Sequence, residues 1–165
     1  MGDLQSVPTL DPPSLVPIDQ VNDNDFRRFI DYWTSLKGER FAPSWREFDL
    51  SALPPAMVPH IVVVDVIGPP TDILVRFWGT AHVRRKGVEK TGKLITENPT
   101  QRDEEAKREY LWVVANRRPI ASRSMVDLHE DQKRLPFEQR LVRLPLSSDG
   151  ETVDHVVSLA YWEMK

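Results

Sequence analysis

Seven residues, "IVVVDVI" at 61–67, leave this chain little freedom in what it builds. All but Asp65 are β-branched and apolar, so the run fits a pleated strand and has to be well buried. "GPPTD" then supplies turn residues, and "ILVRFW" at 73–78 returns as a second strand. Strand alternation puts Ile73, Val75 and Phe77 on one face. Asp65 is the awkward residue, because a carboxylate inside a buried strand needs partners. Facing inward it meets Arg76 on the neighbouring strand or a ligand; facing outward it is plain surface. The pair with Arg76 is the favoured reading.

The rest of the chain arranges itself around this hairpin. Residues 1–22 carry Pro8, Pro12, Pro13 and Pro17 with little periodicity, which predicts an extended or disordered arm. One domain over 23–165 follows. Its first helix, 24–37, is capped by Asp23 or Asn24, has Phe26, Phe29, Ile30, Trp33 and Leu36 at helical spacing, and stops at Gly38. "SWRE" at 44–47 is a capping box that starts a short helical piece. Residues 80–98 read as short helices or loops. A long helix spans 100–118, with Thr100 and Asp103 as its capping box and Arg117 and Arg118 at its end. Three strands finish the chain, near 119–128, 137–147 and 153–163, the last two joined through an Asp149-Gly150 turn. Strands at both ends with helices grouped between them imply an α+β domain on a mostly antiparallel, five-stranded sheet.

"GVEKTGKL" at 87–94 superficially resembles a phosphate-binding loop. The residues before it are a polar helical stretch, the hydroxyl position is Leu94, and no repeating βαβ units surround it, so the match is accidental. The absence of Cys excludes disulfides, thiolate metal sites and Cys nucleophiles. A net charge of −3 argues against a nucleic-acid binder, and "RRK" at 84–86 is a short solvated face or a contact for an acidic protein. No secretory leader or membrane-length apolar run is present, which predicts a cytoplasmic location. Asp127, His129 and Asp131 share one side of an extended segment but read as solvated, so no metal is expected. The sequence has no nucleophile elbow, and no catalytic residue is assigned.

"VRFWGTAHVRRKGVEKTGKLITE" (75–97) resembles the core of a PAS domain: a strand ending in Gly-Thr, a short helix, a Gly, then a Thr-Gly turn. The flanking "YWTSLKGERFAPSWREFDLSALPPAMVPHIVVVDV" and "QRLVRLPLSSDGETVDHVVS" are similar to a PAS-like family of alphaproteobacterial single-domain proteins. The resemblance covers about residues 26–163. It implies a sensory or regulatory domain, with helices grouped between the second and third strands and a small pocket between sheet and helices. It also implies output through protein contacts, a homodimer formed by the leading helix, a protein partner in signalling, and no enzymatic activity. No cofactor is required; flavin-holding relatives use a Cys that this chain lacks, and His82 is a weak candidate haem ligand.

An apolar pocket is expected to be lined by Val75, Phe77, Trp112, Met125, Val142 and Leu159, with His82 beside it. The alternative is that the same side chains simply fill the core. The expected dimer face is Phe26, Phe29, Tyr32 and Trp33, unless the helix folds back on its own sheet. A small enzyme or ligand carrier is the competing reading, and it needs His82, Asp65, Arg76 and Tyr161 to converge on one cavity.

Overall fold

The computed structural model describes residues 15–97 and 102–165. Its sheet is antiparallel throughout, in the order β1-β4-β5-β6-β2-β3. The strands are β1 (Leu15–Val16), β2 (Ile61–Ile67), β3 (Asp72–Trp78), β4 (Ile120–Glu130), β5 (Lys133–Leu146) and β6 (His155–Met164). Helix α1 (Asn24–Lys37) precedes β2, while α2 (Thr80–Lys86) and α3 (Asp103–Asn116) lie between β3 and β4. The fold is therefore α+β, running helix, hairpin, helices and three-strand meander in chain order. The arm adds a sixth strand: Leu15 and Val16 pair with Ser122 and Ala121 on β4. Pro8, Pro12, Pro13 and Thr100 lie outside the described residues, so the Thr100 capping box does too.

Both faces of the sheet are covered, which explains why "IVVVDVI" is apolar at consecutive positions. Ile61 and Val63 belong to the core beneath α1, together with Val142, Leu144, Val157 and Leu159. Val62 and Val64 belong to the opposite core, beneath α2 and α3, with Ile73, Val75, Trp78 and Val113. These are called below the α1 face and the roofed face.

The expectation of a free aromatic face on α1 is corrected. Phe29 is fully buried, and Phe26 and Trp33 are nearly so, all in the chain's own α1-face core. The Trp33 indole N–H donates to the Pro145 carbonyl at 2.8 Å. Tyr32 is half-buried, and its hydroxyl accepts from the Asp49 N–H at 3.1 Å. An amphipathic helix has to cover its apolar stripe, and here the sheet of the same chain does so.

Local details refine the sequence reading. Ser44 and Glu47 make the reciprocal capping-box bonds (Glu47 N to Ser44 Oγ, 3.2 Å; Ser44 N to Glu47 Oε1, 3.0 Å), but the segment is a turn and not a helix. α3 starts at Asp103, after Arg102 in left-handed conformation. Gly79 has to be glycine: an added Cβ would sit 2.1 Å from the Pro59 carbonyl oxygen. Pairing in the β2–β3 hairpin slips between Val63 and Val64, leaving Arg76 as the extra residue of a bulge. Trp78 therefore joins Ile73 and Val75 on the roofed face, and Phe77 turns to the α1 face. The expectation that Ile73, Val75 and Phe77 share a face fails for this reason.

Candidate functional site

The roofed face carries charge in its interior. β5 sends Arg143 upward between its apolar neighbours, and α3 sends Glu109 down from the stripe that also holds Ala106, Tyr110 and Val113. The two meet in a buried bidentate pair: Arg143 Nη2 and Nε donate to Glu109 Oε1 at 2.7 and 2.9 Å. Arg143 Nη1 donates to Ser158 Oγ on β6 at 3.0 Å, and the guanidinium lies 4.2 Å from the Tyr110 ring centroid. Ser122 Oγ on β4 lies 3.3 Å from Glu109 Oε2. Three strands and α3 thus converge on one ion pair.

A second pair closes the roof. Lys90, fully buried in the "GVEKTGKL" loop, reaches Asp103 at the start of α3 at 2.9 Å. Its ammonium also donates to the Ile95 and Glu97 carbonyls at 2.9 and 3.0 Å. The lysine that matters in this stretch therefore folds the loop back on itself, and it is not the Lys93 that the phosphate-loop pattern singled out.

Between these two pairs lies a small cavity of ≈ 30 Å³ that α2 also lines, through His82 and Lys86 one helical turn apart. Among the described residues Lys86 makes no hydrogen bond. It keeps some exposure, yet desolvation is strong enough to pull its pKa from 10.5 to about 8. Asp103 and Glu109 oppose that shift, while Arg143 and Arg102 reinforce it. His82 is buried, and Nε2 sits 2.9 Å from the His60 carbonyl, so Nε2 carries the hydrogen and Nδ1 is left as an acceptor. Nδ1 has no partner among the described residues. Burial pushes the ring down to about 3, so it is neutral at physiological pH. Lys86, a cation with no hydrogen bond among the described residues, and His82, whose Nδ1 acceptor has none, both line this cavity. Its size suits roughly two water molecules or a ligand of a few heavy atoms.

The expected apolar pocket does not form. Val75 and Trp112 belong to the roofed face, while Phe77, Val142 and Leu159 belong to the α1 face, so the sheet itself separates them. Met125 is 53% exposed on β4 and lines no interior space. His82 alone of that set reaches the cavity. Apart from Met125, these side chains pack into the two cores. The set required for an enzyme or carrier also diverges. Asp65 and Arg76 pair on the sheet surface at 2.7 Å, with His155 Nε2 3.1 Å from the same carboxylate. Tyr161 points to the α1 face and donates to Asp25 at 2.7 Å.

The "RRK" stretch is divided by its helix. Arg84 is exposed, Arg85 pairs with Glu130 and lies 4.7 Å from the Phe137 ring, and Lys86 turns inward. Among the described residues no three metal-ligating side chains cluster, and no helix is long and apolar enough to cross a membrane. Sequence reasoning missed Glu109, Lys90 and Arg143. The available signal was Arg143 standing between Leu141, Val142 and Leu144, in a strand apolar at consecutive positions.

No protein-family model matches the chain, and no curated protein matches it by sequence. Among solved structures, it is similar to a fungal LOV-domain photoreceptor. That likeness covers 81% of this chain and 89% of the other at 15% identity, with a TM-score of 0.43.

Proposed function

We propose that this chain is a sensory or regulatory domain without catalytic activity, which responds to a small polar ligand in the cavity beneath α2 and α3. The observation that carries the reading is the unpaired Lys86 in a site where the other buried charges are matched, Arg143 with Glu109 and Lys90 with Asp103. A cation in such surroundings favours an anion, and the free acceptor on His82 favours one that also bears a hydrogen. A small hydroxylated oxyanion, with bicarbonate as the simplest probe, meets both demands. Response then passes through α2. The helix that lines the cavity with His82 and Lys86 also carries Arg85, which holds Glu130 at the end of β4. Neutralising Lys86 therefore alters a helix already tied to the sheet edge, and output passes to a protein partner.

Thermal unfolding of the full chain at pH 7, in bicarbonate, formate and chloride at matched ionic strength, tests this. Bicarbonate is expected to raise Tm, formate to raise it less and chloride least, with the bicarbonate effect lost in Lys86→Met. Equal shifts for the three salts, or a bicarbonate shift unchanged in Lys86→Met, would remove the cavity as a ligand site.

A further inference from the structure

We propose that Lys86 is a carbamylation site: its side-chain amine adds carbon dioxide reversibly, and the carbamate is held in the cavity beneath α2 and α3. The inference rests on the reading of that cavity as a ligand site, and it names the chemistry that fills it. The two inward lysines of this region differ in what they touch. All three ammonium hydrogens of Lys90 have acceptors, in Asp103 and the Ile95 and Glu97 carbonyls. Lys86 lines the cavity, keeps some exposure to solvent, and makes no hydrogen bond among the described residues. Desolvation, opposed by Asp103 and Glu109 and reinforced by Arg143 and Arg102, brings its pKa down to about 8. A share of Lys86 is therefore the free amine near neutral pH, and a free amine is a nucleophile.

In the step, the Nζ lone pair forms an N–C bond to the carbon of carbon dioxide. One C=O π pair moves onto its oxygen, and an amine hydrogen leaves as a proton to solvent. No oxidant or reductant is required. Carbon dioxide enters neutral, so it avoids the desolvation cost that a charged ligand meets on the way in. The product adds one carbon and two oxygens, which suits a cavity of ≈ 30 Å³. Its hydrogen bonding also suits the lining. Arg143 commits three N–H groups to Glu109 and Ser158, which leaves two for a carboxylate. Arg102, which meets Glu105 at 2.5 Å, brings a second guanidinium to the same cavity. His82 lines it too, and Nδ1 is an acceptor with no partner among the described residues. An ammonium offers donors alone. The carbamate offers acceptor oxygens to the arginines and keeps one N–H for the histidine.

Chemical trapping on the unmodified full chain reads the proposal, so no variant has to fold. The protein is equilibrated with carbon-13 bicarbonate, which supplies dissolved carbon dioxide. Carbamates are then alkylated with a trialkyloxonium salt, and the labelled lysines are located by peptide mass spectrometry. Lys86 is expected to be labelled at bicarbonate concentrations about tenfold or more below those that label any other lysine, because each unit of pKa changes the neutral-amine fraction tenfold. Amine plus bicarbonate gives carbamate plus water with no net proton change. At fixed bicarbonate the trapped fraction therefore follows the neutral amine and should rise severalfold from pH 7 to 9. Labelling of Lys86 no better than that of other lysines, or falling over that range, overturns the proposal. A bicarbonate Tm shift that is lost in Lys86→Met, without trapped carbamate, overturns carbamylation and leaves the ligand-site reading standing. Absence of both the shift and the carbamate overturns both.

Discussion

On the α1 face, Phe26, Phe29, Ile30 and Trp33 press on Val142, Leu144, Val157 and Leu159, and Phe29 packs edge-on to Phe48 with ring centroids 6.0 Å apart. One residue along the same strands, on the roofed face, stand Arg143 and Ser158, tied to Glu109 and Tyr110. Two cores share a backbone and differ in chemistry. Burial of apolar surface dominates the first, with neutral hydrogen bonds such as that of the Trp33 indole to the Pro145 carbonyl. The second gives up part of that gain to desolvate an arginine, a lysine, a glutamate and an aspartate, and recovers it only through their pairing. The α1 face therefore serves stability, and the roofed face is where a perturbation has something to act on.

The contrast breaks most visibly on the α1 face. Phe29→Glu places an unpaired charge in a dry core with no exposure, and the expected outcome is a chain with no cooperative thermal transition. A folded, soluble Phe29→Glu protein would instead mean that α1 is detachable and its aromatic face free.

On the roofed face the expected loss is smaller and reversible. Arg143→Met leaves Glu109 buried without its partner and should cost about 3–5 kcal/mol in denaturant unfolding. Adding Glu109→Leu to that variant should recover most of the loss, because apolar residues of similar volume commonly replace a buried pair without penalty. No double substitution can rescue Phe29→Glu in this way. If Arg143→Met cost less than about 1 kcal/mol, the pair would be behaving like an exposed salt bridge and the two faces would not differ in kind.

The sequence disclosed these two faces unequally. Apolar periodicity located α1, the β2–β3 hairpin and the three-strand meander because each follows a simple repeat, and the order of elements implied the sheet. Periodicity says which side of a helix is apolar but not what covers it, so Phe29 and Trp33 looked available to a second subunit. It also assumes an unbroken repeat, and the extra residue Arg76 sends Phe77 to the opposite core. The site was the least legible part. Glu109 and Arg143 are charged residues at positions where the pattern expects apolar ones, and a reading that scores such positions as surface passes over them. Their meaning depends on α3 lying across β5, a contact between residues 34 apart in sequence.

The finest distinction between the faces is in pH. His82 is held at about 3 against an ordinary 6.5, so between those values the unfolded chain binds a proton that the native chain refuses. Stability from this group is present above pH 6.5 and is lost as pH falls toward 3. His60, at the end of the sheet, is shifted in the same direction by burial, so the measurement has to be a difference. Lys86, at about 8 against 10.5, adds a second window: there the unfolded chain again holds the extra proton, and stability rises with pH from 8 toward 10.5. Denaturant midpoints at pH 4.5 to 7 should therefore fall on acidification in the unmodified protein and less steeply in His82→Asn. Midpoints at pH 8 to 10 should rise in the unmodified protein and stay flat in Lys86→Met. Both slopes belong to α2, whose two titratable residues line the cavity, and an α1-face variant such as Ile30→Val should lower every midpoint equally and leave both slopes intact. A change of slope in Ile30→Val would mean that the two cores are coupled through the sheet and not independent.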